Sequence, residues 1–280
     1  MRNFCDLHTH SVFSDGTLTP TQLIDLAEEL GLGAVALTDH NTVLGLPEFM
    51  EAAQGKAVKA IPGTEFSVDY LGQELHIVAL YIRPEHYEAT MAIADRNNEY
   101  KKQSNLELIA SLNQAGYNIS YEKIKASMPA GEPNRALIAA ELTRLGYVSD
   151  NREAFKTILS SKHGFYRPPK RVDVFELIRF VRSIGAVPVW AHPFLHLKEE
   201  DQVRAFLPQA VEAGLLGIEV RYPLHTPEQT ALAASLAREY GLMPSGGSDF
   251  HGDNKPTISL GTGTGELEVP LAWAEAMEPV

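Results

Sequence analysis

His8 and His10 lie two residues apart in Asp6-Leu7-His8-Thr9-His10, a stretch that reads as the end of a β-strand. In a strand, residues i and i+2 point to the same side about 7 Å apart, at a rise of ~3.3 Å per residue. Two imidazoles so placed can share one metal ion. Comparable endings recur. Asp39-His40 closes an apolar run, as do Glu65 and His192, and Asp249 alternates with His251 in Gly247-Ser248-Asp249-Phe250-His251. Glycines there let the backbone approach a ligand closely. With Asp15 and His76 the candidate metal ligands number nine: His8, His10, Asp15, His40, Glu65, His76, His192, Asp249 and His251. A carboxylate behind an apolar strand, such as Glu65, is costly to bury unless cations meet it, and bridging two metals resolves that cost. Imidazole and carboxylate without thiolate suit manganese, iron or zinc. Nine ligands are too many for one ion and suit two or three.

Residues scattered so widely must be gathered by the fold. Short β-rich runs at 4–10, 34–40, 58–65, 75–81, 186–192, 217–221 and 242–249 predict seven strands. Helices with readable starts lie between several of them. Thr19-Pro20-Thr21-Gln22 and Thr226-Pro227-Glu228-Gln229 each give an N-cap, a proline at the first helical position and a capping-box glutamine. Strand and helix in alternation predict an α/β fold with a mainly parallel sheet. In a parallel barrel all strand C-terminal ends open on one face, where active sites are built. The gap at 85–166 shows no strand signal and predicts helices at 87–115, 135–145 and 152–159. The expected organisation is a barrel from 1–84 and 167–280 around a helical insertion at 85–166.

The chain has 280 residues, 44% of them hydrophobic, so a large core is within reach. Lys plus Arg number 24 against 36 Asp plus Glu, a net charge of −12. That excludes a basic coat for long nucleic acid or an anionic membrane. An anionic ligand must be met locally, by metals or a few cations. The one cysteine, Cys5, excludes an intrachain disulfide and a cysteine-rich zinc site. It fits a reducing compartment, and with no signal region or apolar span the expected setting is cytoplasmic. Oligomeric state is not legible.

Asp6-Leu7-His8-Thr9-His10-Ser11, Ser14-Asp15-Gly16, Thr38-Asp39-His40, Gly63-Thr64-Glu65, Ala191-His192-Pro193 and Gly247-Ser248-Asp249-Phe250-His251-Gly252, in that order, resemble the motifs of the PHP (polymerase and histidinol phosphatase) family. The resemblance implies a distorted (β/α)7 barrel with a helical insertion and a trinuclear metal site. By position it implies His8, His10, Glu65 and Asp249 at the first metal, and Glu65, His76 and His192 at the second. Asp15, His40 and His251 fall at the third. Ser14-Asp15-Gly16, and Pro133-Asn134-Arg135 within the insertion, resemble the nucleotide phosphoesterase branch. Its members hydrolyse nucleoside 3',5'-bisphosphates, trim short 5'-phosphorylated oligonucleotides or open cyclic nucleotide phosphates.

The expected activity is therefore metal-dependent hydrolysis of a phosphate ester of a small nucleotide or short oligonucleotide, by a hydroxide between the Glu65-bridged metals. Divalent ions lower the pKa of bound water and clamp phosphoryl oxygens. His225 is the spare strand-end histidine for the leaving alcohol. A second phosphate needs cations outside the metals, for which Arg135, Lys162 and Arg221 are candidates, with Asn134 beside Arg135. The run Arg167-Pro168-Pro169-Lys170-Arg171 reads as a solvated charged face. Alternatives are a cyclic nucleotide phosphodiesterase, a histidinol phosphate phosphatase, a metal-stabilised binding module and a proofreading domain acting beside a polymerase.

Overall fold

A computed structural model of the chain describes residues 3–126, 132–133 and 135–279. Its strands, among the described residues, are β1 (Phe4–Asp6), β2 (Ala34–Leu37), β3 (Lys59–Tyr70), β4 (Gln73–Leu80), β5 (Val172–Asp173), β6 (Val187–Trp190), β7 (Gly217–Arg221), β8 (Met243–Gly246) and β9 (Val269–Pro270). The helices are α1 (Pro20–Glu29), α2 (Leu46–Ala52), α3 (Tyr87–Gln114), α4 (Tyr121–Lys125), α5 (Arg135–Arg144), α6 (Asn151–Ala154), α7 (Val174–Ser183), α8 (Pro193–His196), α9 (Glu200–Ala213), α10 (Pro227–Tyr240) and α11 (Leu271–Met277).

The strands pair in the order β8-β7-β6-β4-β3-β2-β1-β9, with β5 joined to β3. Beyond β8 the chain returns to the end of β1. Leu7 N–H donates to the Gly246 carbonyl at 3.2 Å and Asp249 N–H to that of His8 at 2.8 Å. The result is a nearly closed α/β barrel. Both predicted capping boxes form: Thr19 and Thr226 side chains accept from the Gln22 and Gln229 amides, and both glutamines reach back. Each satisfies two amides that a helix start leaves unpaired.

Two apolar layers follow from the alternation of strand side chains. Ile61, Val78, Leu80, Val187 and Val189 fill the barrel interior with Ala274 and Met277 of α11. Phe66, Ile77, Trp190 and Ile218 face outward against Leu177, Ile178 and Phe206 of the surrounding helices. A separate cluster joins Leu108, Leu112, Ile138, Leu142, Ile158 and Tyr166 across the helical segment.

The sheet is less parallel than the alternating pattern predicts. β4 runs antiparallel to both β3 and β6. Only Leu71 and Gly72 separate β3 from β4, with φ of 53° and 80°. That is the left-handed pair of a tight hairpin turn, and a parallel return needs a dozen or more residues. The predicted runs also place the ligands inside strands, whereas β1, β2, β6 and β8 end before them. His8, His40, His192 and Asp249 sit in the irregular backbone just beyond, and His192 and Asp249 take φ of 30° and 56°. Strained backbone of this kind persists where the surroundings over-determine it, and it clusters at functional sites.

Candidate metal centre

All nine candidate ligands meet at the mouth where these strand ends converge. Glu65 lies at their centre. On β3 it shares the inner face with Ile61 and Gly63, and β4 presents His76, Val78 and Leu80 to the same interior. The register sets Glu65 opposite Val78 and His76 opposite Ser67, one step along the same face. Because β4 runs backwards, its beginning rather than its end supplies His76 to the mouth.

The Glu65 carboxylate is fully buried. Its Oε1 lies 2.8 Å from His76 Nδ1 and 2.9 Å from His192 Nε2. Its Oε2 lies 2.9 Å from His40 Nδ1, 3.3 Å from His8 Nε2 and 3.5 Å from His10 Nε2. Burial alone would push this carboxyl up, but the imidazoles of His76, His8 and His40 hold it well below the ordinary range. Asp15 Oδ1 lies 3.1 Å from His251 Nε2 and 3.7 Å from His40 Nε2. Asp249 Oδ1 lies 3.3 Å from His10 Nε2.

Four of these atoms, Glu65 Oε2 and the facing nitrogens His8 Nε2, His10 Nε2 and His40 Nδ1, are buried and make no hydrogen bond among the described residues. They approach as lone pairs converge on a shared cation, rather than as donors meet acceptors. Ligand atoms of His10, Asp15, His40 and His251 lie within 4.8 Å of one another, as do those of His8, His10 and Asp249, of His8, Glu65 and His192, and of His40, Glu65 and His76. The donor set fits divalent cations of the imidazole and carboxylate class.

A ring of partners aims these side chains, and most of it goes unnoticed in sequence. Glu219, on the inner face of β7, accepts from His8 Nδ1 at 2.8 Å and from the His192 amide at 2.6 Å. Such a partner fixes the tautomer and turns Nε2 of His8 to the centre. His251 Nδ1 donates to the Asp249 carbonyl at 2.8 Å, which points its Nε2 at Asp15. Tyr222 O–H at 3.0 Å and Lys255 at 2.6 Å occupy Asp249 Oδ2 and leave Oδ1 for the cluster. Asp39 accepts from the Ser11 amide, Ser11 Oγ and Ser14 Oγ. Asp6 accepts from the Ser248 amide and hydroxyl and from the Gly261 amide. These two carboxylates staple the ligand loops. Backbone crowding adds to the constraint: a Cβ at Gly247 would come within 2.4 Å of His8 Cβ.

Beside the metal cluster a cavity of about 300 Å³ opens, lined in part by His40, His76, Lys101, Arg135, Arg171 and His196. The Arg135 guanidinium lies 4.2 Å over the Tyr166 ring and 5.7 Å from that of Phe155. Arg171 is paired with Glu74 at 2.6 Å, and its side chain is only 7% exposed. The run at 167–171 is therefore no uniform solvated face: Arg171 turns into this cavity, while Lys170 borders it and, like Arg167, is exposed. Lys162 is exposed, the Arg221 guanidinium lies 5.9 Å from the Trp273 ring, and neither is among the lining residues. Asn134 lies outside the described residues. His225 packs edge-on to Phe194 and Tyr222, with Nδ1 3.4 Å from the Val220 carbonyl.

Comparison with known proteins agrees with this geometry. The PHP domain model matches residues 6–166. A 5'-3' exoribonuclease of Haemophilus influenzae is 32% identical over 246 residues, 88% of this chain and 89% of that protein. A phosphoribosyl 1,2-cyclic phosphate 1,2-diphosphodiesterase of Eggerthella lenta is 34% identical, across 88% of this chain and 94% of its own. A 3',5'-nucleoside bisphosphate phosphatase of Chromobacterium violaceum is 31% identical, across 88% and 86%. A crystal structure from Bifidobacterium adolescentis, described as a metal-dependent phosphoesterase, superposes with a TM-score of 0.85 at 29% identity, covering 98% of this chain and 94% of that one. No helix among the described residues is long and apolar enough to cross a membrane. Sharing motifs, barrel and near-complete coverage with these proteins, the chain belongs to the PHP domain family and is a metal-dependent phosphoesterase.

Proposed function

We propose that the nine-residue cluster holds two or three divalent ions, manganese first among them. The substrates we assign are small nucleotides bearing a second phosphate: nucleoside 3',5'-bisphosphates or short 5'-phosphorylated oligonucleotides. The supporting observation is the cavity that shares His40 and His76 with the cluster and carries Lys101, Arg135 and Arg171 in its wall. Its volume of about 300 Å³ is that of a small-ligand site. Its cations are local, in a chain of net charge −12, and the lone buried cysteine fits a cytoplasmic setting.

Bound divalent ions supply Lewis acidity toward phosphoryl oxygens and acidify water. The chain's own groups position the rest. Glu65, Asp15 and Asp249 gather the positive charge at the mouth, and Glu219, Tyr222 and Lys255 keep the ligands aimed. Arg135, with its guanidinium 4.2 Å over the Tyr166 ring, keeps N–H donors for a phosphate. Lys101 adds a second cation, its pKa lowered by burial. His225 serves better as support for the Tyr222 ring than as a proton donor, since burial pushes its pKa down.

Manganese-reconstituted enzyme is to be assayed on 3',5'-bisphosphates, 5'-phosphorylated dinucleotides, cyclic phosphates and histidinol phosphate. We expect the highest kcat/KM on the bisphosphates. A preference for single phosphates without a nucleoside would refute the assignment. The Eggerthella lenta relative favours a second reading, opening of a cyclic phosphate, which the same panel separates. Arg135→Ala should raise KM for the bisphosphate about 10- to 100-fold, the worth of one charge-assisted hydrogen bond, and leave a simple phosphate monoester nearly untouched. Equal losses on both substrates would remove Arg135 from the second phosphate site.

A further inference from the structure

We propose that His196 is a tenth metal ligand, completing with His76 and His192 the coordination of the ion at the cavity edge. The inference rests on His76 and His192 being ligands themselves. His192 and His196 stand four residues apart in His192-Pro193-Phe194-Leu195-His196. α8 starts at Pro193 with His192 as its left-handed cap, and the Leu195 amide donates to the His192 carbonyl at 2.9 Å, a tight turn that folds His196 back beside His192.

Ligand atoms of His76, His192 and His196 lie within 4.8 Å of one another. The His196 ring centroid is 5.0 Å from that of His76 and 5.8 Å from that of His192. His196 Nε2 is buried and makes no hydrogen bond among the described residues, and the same holds for His192 Nδ1. Since His196 also lines the cavity, an ion held here faces the substrate. A site of three imidazoles favours zinc or ferrous iron over manganese, which prefers oxygen-rich sites. His196 therefore biases this position toward a different metal from the oxygen-richer position held by Glu65 and Asp249.

The test is titration of the metal-free protein with Co²⁺, read by visible absorption, alongside zinc affinity by equilibrium dialysis, for wild type and His196→Ala. We expect the variant to lose affinity for one ion by at least ~10-fold, the loss that follows removal of even an outer partner of a ligand. The absorption of that cobalt ion alone should change. Identical spectra and affinities overturn the proposal. Should the variant fail to fold, wild type decides: bound zinc should protect His196 from carbethoxylation, and equal labelling with and without zinc overturns it. Wild type that binds no cobalt overturns the ligand reading of His76 and His192, and this inference with it.

Discussion

Glu65→Gln will lower turnover by about 10³-fold or more, beyond the ~10²–10³ that loss of a single charge-stabilising group takes from an enzyme. Glu65 carries more than one interaction. Its two oxygens face five imidazoles, those of His8, His10, His40, His76 and His192. Glutamine keeps the shape but removes the charge and replaces one oxygen with an N–H donor. That donor would point at ring nitrogens whose lone pairs converge there. Metal content measured by mass spectrometry should fall along with kcat. Glu219→Gln is the comparison, because Glu219 acts through His8 and the His192 backbone. It should weaken metal affinity by about 10- to 100-fold, with activity restored by excess metal. Glu65→Gln enzyme within tenfold of wild type at saturating manganese would refute the central role of this carboxylate.

Metal uptake by the metal-free protein will strengthen steeply with pH. Burial would lower the pKa of His76, but Glu65 and Glu74 raise it to about 10. Against the same burial, Glu65 and Glu219 raise that of His8, and Asp15 that of His251. Without metal the His76 ring therefore holds its proton at neutral pH and the other two hold theirs to higher pH than an ordinary imidazole, and a cation binds only the neutral ring. Each displaced proton then contributes about tenfold in affinity per pH unit. Calorimetry in buffers of different ionisation heat should record about one proton or more released at full loading. Uptake independent of pH between about 6 and 8 would contradict the protonated cluster. Stability follows with its own sign. The charged His76 pair contributes fully below about 6.5 and its contribution fades as pH climbs through about 10, so the metal-free protein should lose stability over that span.

Much of the fold was legible because local and global signals agree in it. The capping boxes at Thr19 and Thr226, the helical stretch beginning at Tyr87 and the apolar strands all follow from spacing. The direction of β4 was missed, although Leu71-Gly72 between two β-rich runs is a hairpin signal that excludes a parallel crossover. β5 and β9 are two residues each and are defined by their neighbours, not by their own composition.

For the site, the directly converging histidines could be read from strand ends, whereas the groups that hold them could not. Glu219 sits between Ile218 and Val220 in the middle of β7, a signal of a carboxylate with buried partners, but which partners only the register settles. Lys101 on α3 and Arg171 beside β5 reach the cavity from segments 70 residues apart in sequence. Arg171 is drawn inward by Glu74, which no local pattern encodes.

Anomalous diffraction from crystals grown with manganese is the most direct measurement. Two or three peaks are expected inside the mouth, about 3.5–4 Å apart where Glu65 bridges, with His8, His10, His40, His76, His192, Asp15, Asp249 and His251 around them. A single peak away from Glu65, or no peak with these side chains still clustered, would contradict a shared multi-cation centre.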